Sequence, residues 1–340
     1  FYIFDDKGNK WIDMTSGIFV TNAGHSNPHI NKAIKDQVDS DLSFAYQYNT
    51  DIRRDFCKKL IDVSPDHFNK VVLLNSGSEA TDAAYRLIKL WGHKHNKRHI
   101  ITFQGNYHGR VLGSDFLGGT STSTNWCNFT DSDIHRLPFP MDNEQLDIND
   151  LPDLDNTAAV FLETYQGWGA WQYPKEYLDK LYNLCKKHNI LFCIDEVQSG
   201  FYRMGTLYGY MTYGEYKPDI ICLGKGLTSS LPLSAVLSTS DIIDLDPTAN
   251  LSSTHAGNCV LFILAFPVSV KCINVKGMVT GIIMDETPRT NSIVDYCVLN
   301  GVLPVWTKRE SIKLGPPLTI TIDAINETFD IIEEGIQKYE

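Results

Sequence analysis

A chain of 340 residues, 43% hydrophobic and 21% charged, has a globular composition and room for one large domain or a large and a small one. Its net charge of −11, unrelieved by any basic stripe, excludes a nucleic-acid groove and binding to an anionic membrane surface. Eight cysteines carry no CxxC pair or metal-like spacing, and Cys193 and Cys222 sit inside apolar runs, which predicts reduced core thiols in a cytoplasmic protein.

In chain order, FYIFDDKGNKWIDM predicts a β-hairpin turning at DDKGN and not a signal peptide. A chain that opens on Phe1 and not on Met is expected to be preceded by further residues. A helix follows Pro28. Short apolar runs then predict strands at 71–74, 99–103, 158–162, 190–194 and 219–223. Between them, Ala80, Ala83, Ala84, Leu87, Ile88 and Trp91 recur at helical spacing over 78–91, and a second helix begins after Pro174 with Tyr177, Leu178, Leu181, Tyr182 and Cys185 on one face.

This alternation predicts an α/β fold with a mostly parallel sheet flanked by helices. The run Cys259–Val270 is too short to span a bilayer and predicts a buried helix. Beyond it come strands in MVTGIIM (278–284) and PPLTIT (316–321) and a closing helix. Residues 1–42 and 257–340 are expected to form a smaller α+β domain beside a large domain over 43–256.

Two strand runs end in ionisable residues, Asp195 after ILFCI and Lys225 after DIICLG. Open α/β sheets place ligands at those C-terminal ends. There an amine can form a Schiff base with pyridoxal phosphate, while a carboxylate keeps the pyridine nitrogen protonated. A structural ion pair is the competing reading. Ser76, Gly77 and Ser78, between a strand and a helix, make a candidate phosphate site, and equally an ordinary N-cap. Tyr107 and His108 in FQGNYHGR offer an aromatic to stack on a ring, or simple loop packing, and Thr254 is a phosphate ligand or a cap. The ten histidines show no convincing metal grouping, and His93, His95 and His99 read as solvated.

In order along the chain, TNAGHSNPHI, NSGSEATDAAYRLIK, FQGNYHGR, FLETYQG, CIDEVQSGFYRMG, KPDIICLGKGL, PLSAV, STHAGN and GPPLTIT resemble the class III pyridoxal-phosphate aminotransferases of the ornithine and 4-aminobutyrate type. The resemblance implies the aspartate-aminotransferase fold (fold type I) and a homodimer with shared active sites. Lys225 would be the Schiff-base lysine, shuttling a proton between the substrate Cα and the cofactor's C4′. Asp195 would pair with the pyridinium nitrogen, with Val197 and Tyr107 on the two ring faces and Gln198 on the phenolic oxygen. Gly77 and Ser78 would hold the phosphate with Thr254 of the other subunit, and Glu163 would support the ring, with His108 beside Tyr107. The reaction implied is ping-pong transfer from a small amino donor to a carbonyl acceptor. Epimerase, aminomutase and decarboxylating outcomes share these motifs. A non-catalytic scaffold is disfavoured by the intact Lys225 and Asp195.

Three departures stand out. Trp168 replaces a glutamate usual in glutamate-using members, which suits a substrate with an apolar or ring-like part. Lys313 replaces an arginine that grips the substrate carboxylate, and lysine lacks the planar fork unless Arg309 or another arginine takes over. AFPVSVKCINVKGMVTGI joins parts that are normally far apart, so residues near 266–276 are expected to mark a gap.

Overall fold

A computed structural model describes residues 1–46, 48–119, 131–141, 145–262, 277–284 and 286–339. In chain order the strands are β1 (Tyr2–Phe4), β2 (Lys10–Asp13), β3 (Lys70–Leu74), β4 (His99–Phe103), β5 (Ile134–Leu137), β6 (Thr157–Glu163), β7 (Tyr165–Gln166), β8 (Trp171–Gln172), β9 (Leu191–Asp195), β10 (Ile220–Leu223), β11 (Ser234–Ser238), β12 (Thr280–Ile283), β13 (Val302–Leu303), β14 (Val305–Trp306) and β15 (Ser311–Leu314). Seven of them form one sheet in the order β3-β11-β10-β9-β6-β4-β5. Only β11 runs against the rest.

The apolar runs follow from burial on both faces. Ala159, Phe161, Leu191, Cys193, Ile220 and Cys222 pack on the helix Gly77–Lys94 through its Ala80, Ala83, Ala84 and Leu87. Their neighbours Val160, Leu162, Phe192, Ile194, Ile221 and Leu223 face the helices Asp51–Val63 and Lys175–Lys187. The central parallel strands β6, β9 and β10 therefore have no solvated face, and polar chemistry is displaced to their ends.

A second core joins the two chain ends. β2 lies between β1 and β13, antiparallel to the first and parallel to the second. Ile12 and Met14 pack with Ile293, Val302, Ile312, Leu314, Ala324 and Ile332.

Three local expectations are corrected. PPLTIT is a turn: two prolines lack the N–H a ladder needs, Leu318 N–H donates to Asn22 O (3.0 Å) and Ile320 N–H to Pro317 O (3.0 Å). The strand here is β15, just before it. Cys259–Leu261 forms a single 3₁₀ turn where a longer helix was expected, and residues 263–276, with the junction near 266–276, lie outside those described. His99 is not solvated but bonds His135, Nδ1 to Nε2 at 3.0 Å.

Arg203 ties the two cores together. It is fully buried, and its guanidinium donates to the carbonyls of Met278 and Pro316, to Ser16 Oγ and to Asn22 Oδ1. Burial pushes its pKa down, to about 10. Arg203→Ala should lower stability by at least about 3 kcal/mol, measured by denaturant unfolding, because several buried acceptors lose a charged donor together. A loss under about 1 kcal/mol would contradict this reading of the contact.

Candidate active site

Five strand ends meet at one cavity of about 180 Å³, lined by Ser76, Gly77, Ser78, Tyr107, His108, Gly109, Glu163, Asp195, Val197, Gln198 and Lys225. The register explains the convergence. Glu163 pairs with Asp195 across β6 and β9, and Asp195 with Cys222 across β9 and β10, so Lys225 follows just past the sheet edge.

One end of the cavity is built for an anion. Ser76 caps the helix Gly77–Lys94 in a capping box with Glu79, and that pairing uses the N–H groups of Asn75, Ser76 and Glu79. Helix geometry leaves the Gly77 and Ser78 N–H groups without an intrahelical acceptor, at the positive end of the helix dipole. A Cβ on Gly77 would lie 2.7 Å from Val197 Cγ1, and one on Gly109, where φ is +131°, would lie 2.3 Å from Ser78 Oγ. Both positions thus keep the cradle open only as glycine.

The other end carries the charges. His108, buried and edge-on to Phe161, donates from Nδ1 to Asp195 Oδ2 (2.8 Å), while Val197 N–H donates to Asp195 Oδ1 (3.0 Å). The carboxylate is held from both sides. Glu163 Oε2 accepts from the N–H groups of Tyr107 (3.0 Å) and Gly167 (3.2 Å). Burial, reinforced by nearby Asp195, pushes its pKa up to about 7. Lys225 has φ of +42°, a left-handed conformation costing a β-carbon-bearing residue about 1–3 kcal/mol. Its amine is pushed down from the ordinary lysine value by burial, against the pull of Asp195 and Glu163.

The substrate-side residues behave differently from one another. Lys313 is 3% exposed, and its Nζ donates to Gly167 O and to Gln198 Oε1 (2.7 Å). That bond turns the Gln198 amide so that its NH₂ is left for another partner. Trp168 lies outside the cavity lining, with Arg309 5.1 Å above its ring. Thr254 is exposed and does not reach the cavity of its own chain.

Sequence reasoning passed over Gly109 as a lining residue, although its place in FQGNYHGR next to the serine turn was the available signal. It also passed over Glu196, which accepts from Thr164 Oγ1, Ser199 Oγ and the N–H groups of Gly209 and Tyr210 at 2.6–2.8 Å and braces the turn after Asp195. Among the described residues no group of three or more His, Cys, Asp or Glu could hold a metal ion.

An anion cradle, a buried carboxylate opposite it, a deprotonation-prone amine between them and flanking Val197 and Tyr107 fit one phosphorylated pyridine aldehyde, pyridoxal phosphate. The sheet and cavity define a fold type I pyridoxal-phosphate enzyme. The aminotransferase class-III family model matches residues 1–268. Ornithine aminotransferase of Saccharomyces cerevisiae is 28% identical over 98% of this chain and 91% of its own length, and acetylornithine aminotransferase of Clostridium acetobutylicum is 28% identical over 98% and 94%. The structure of Toxoplasma gondii ornithine aminotransferase superposes with a TM-score of 0.86 at 24% identity, covering 99% of this chain and 88% of that one. An amine transaminase from an uncultivated Pseudomonas gives 0.87 at 20%, covering 100% and 93%. The chain belongs to the class III aminotransferases and is a pyridoxal-phosphate-dependent transaminase. The alignment to the yeast enzyme runs over 388 positions, so that relative carries segments this 340-residue chain lacks.

Burial and the neighbouring Lys225 push the Lys313 pKa down to about 7. For a base whose folded pKa is lowered, stability is fully present above the unfolded value and is lost as pH falls toward the folded one. The cofactor-free wild type should therefore gain stability relative to Lys313→Met as pH rises from about 7 to about 9.5, by a few kcal/mol at most. Paired denaturant curves at several pH values check it. A pH-independent difference would mean that Lys313 keeps an ordinary pKa.

Proposed function

We propose that Lys225 is the amine that carries the cofactor and the base that moves the proton at the substrate carbon bearing nitrogen. The observation that carries this is the convergence of Lys225, Asp195 and the Ser76–Ser78 turn on one cavity from separate strand ends. Bound pyridoxal phosphate supplies an aldehyde that accepts an amino group and a ring that accepts electron density.

The protein's own groups do the rest. Gly77 and Ser78 N–H groups would bind the phosphate, and Tyr107 and Val197 would flank the ring. Asp195, fixed by His108, would keep a proton at the ring nitrogen and Gln198 would donate to the phenolic oxygen, while Glu163 steadies the backbone of Tyr107. Lys225 Nζ, disfavoured as a cation by burial, takes the proton from the substrate carbon and returns it.

The working unit is a homodimer in which Thr254 completes the phosphate site of the other subunit. Its exposure, and the exposed aromatic run Phe44, Tyr46 and Tyr48, support that reading. The division into a large domain over 43–256 and a smaller one over 1–42 and 257–340 is supported by the pairing of β2 with β13. A cytoplasmic setting is supported by the free thiols among the described cysteines, most of them buried. No helix among the described residues is long and apolar enough to cross a membrane.

The amino donor is a small amine or amino acid and the acceptor a small carbonyl compound, processed in turn. Named relatives act on ornithine or acetylornithine, but Trp168 and the occupied Lys313 favour a substrate with an apolar stretch. Incubated with donor alone, the protein should release carbonyl product in amounts matching enzyme, and Lys225→Ala should lose the yellow colour and at least about 10²–10⁴ of the rate. Racemised donor with no carbonyl product would instead favour an epimerase.

A further inference from the structure

We propose that Asn22 is a positioning residue for Lys225: its buried amide is the wall on which the lysine's loop is folded, and it thereby aims the amine into the cofactor cavity. The inference rests on the transaminase reading of the site and adds to it a residue from outside the cavity.

The loop is held in a conformation it would not choose alone. Lys225 at φ +42° and Ser229 at φ +60° both carry left-handed backbone, which residues with a β-carbon seldom adopt. Such conformations persist only where the surroundings over-determine them. On one side of Lys225, a Cβ on Gly224 would lie 3.3 Å from Val197 Cγ1, in the cavity lining. On the other side, a Cβ on Gly226 would lie 2.4 Å from Asn22 Nδ2, so the backbone rests directly on the Asn22 amide. Farther along, Ala23 N–H donates to Ser229 Oγ (2.7 Å). Residues 22 and 23 thus grip the loop beside one left-handed residue and at the other.

The wall itself is fixed. Asn22 is 4% exposed, its Nδ2 donates to Phe201 O (3.0 Å), and its Oδ1 accepts from the Arg203 guanidinium (2.7 Å). Its carbonyl accepts from Leu318 N–H (3.0 Å). Turning the amide over would set its NH₂ against the guanidinium and its oxygen against a carbonyl. A buried asparagine joining separate segments is commonly structural glue. This one differs in touching the residue next to the amine. It does not line the cavity, so it acts on the amine only through the loop.

Asp195, Glu163 and Arg203 are the charged groups that act on the Lys225 amine, and Lys313 lies near it. Of these, Arg203 bonds Asn22, so a change at Asn22 could reach the amine through that guanidinium instead. Ser16 Oγ accepts from the same guanidinium nitrogen (3.0 Å), which makes S16A the control for that route.

The test is a pH titration of the full chain, read in two ways. With cofactor bound, the visible absorbance is followed; without it, reductive methylation of Lys225 is followed by mass mapping. Burial disfavours the cation, so a loop released from its wall admits water, and both midpoints should rise in N22A by about one pH unit, a tenfold change. G226A, which presses a methyl group on the amide, should move them as well, and its effect should shrink in N22A/G226A, where the amide is gone. S16A should leave both within about 0.3 unit of wild type. Midpoints within about 0.3 unit of wild type in N22A, or in G226A should N22A not fold, overturn the proposal. So does an S16A shift as large as that of N22A, or a G226A shift that is equal in both backgrounds. If pyridoxal phosphate gives no coloured adduct, but the methylation midpoint rises in N22A and not in S16A, the positioning role stands and the cofactor reading falls. If the adduct forms and neither midpoint moves, the positioning role falls alone.

Discussion

The whole site depends on three central strands so completely buried that charge appears only where they stop. β6, β9 and β10 are covered by helices on both faces, and Glu163, Asp195 and Lys225 come at their C-terminal ends or just beyond. Burial disfavours ionisation of the Lys225 amine and of Glu163, while the His108 and Val197 bonds fix the Asp195 carboxylate in place. One arrangement thus places an amine disfavoured as a cation and a fixed carboxylate in the same cavity. The left-handed backbone at Lys225 is sustained because the surrounding packing over-determines it: Gly226 beside it has no room for a Cβ, which would fall 2.4 Å from Asn22 Nδ2.

The substrate side follows a different logic. A lysine where relatives of the resemblance carry an arginine could have been a simple swap of cations. Instead Lys313 is folded inward onto the backbone of Gly167 and onto Gln198, where burial and Lys225 both oppose its charge. It has become part of the frame that orients Gln198. The neighbouring tryptophan and arginine then form the outward surface, which is why the two departures are best read together.

Much of this was legible from residue order. The alternation of apolar runs and helical periods gave the parallel sheet, and the residues ending those runs gave Lys225 and Asp195, because strand ends are set by the pattern itself, whereas Glu163 came only from the family resemblance. The Ser76–Ser78 turn was legible because a strand followed directly by an amphipathic helix fixes where free N–H groups point. What could not be read were contacts between segments far apart in sequence: His108 on Asp195, Lys313 on Gln198, Arg309 on Trp168. PPLTIT was misassigned because its Thr and Ile residues suit a strand, while its two prolines and the bond to Asn22 impose a turn.

Lys225 lies close enough to Lys313 to oppose its charge, and only Lys225 is assigned the cofactor. Borohydride reduction of the yellow protein, followed by proteolysis and mass mapping, separates them directly. With Lys225 as the cofactor lysine, the added cofactor mass falls on the peptide containing Lys225. Finding it on the peptide containing Lys313, or on neither, would contradict that assignment.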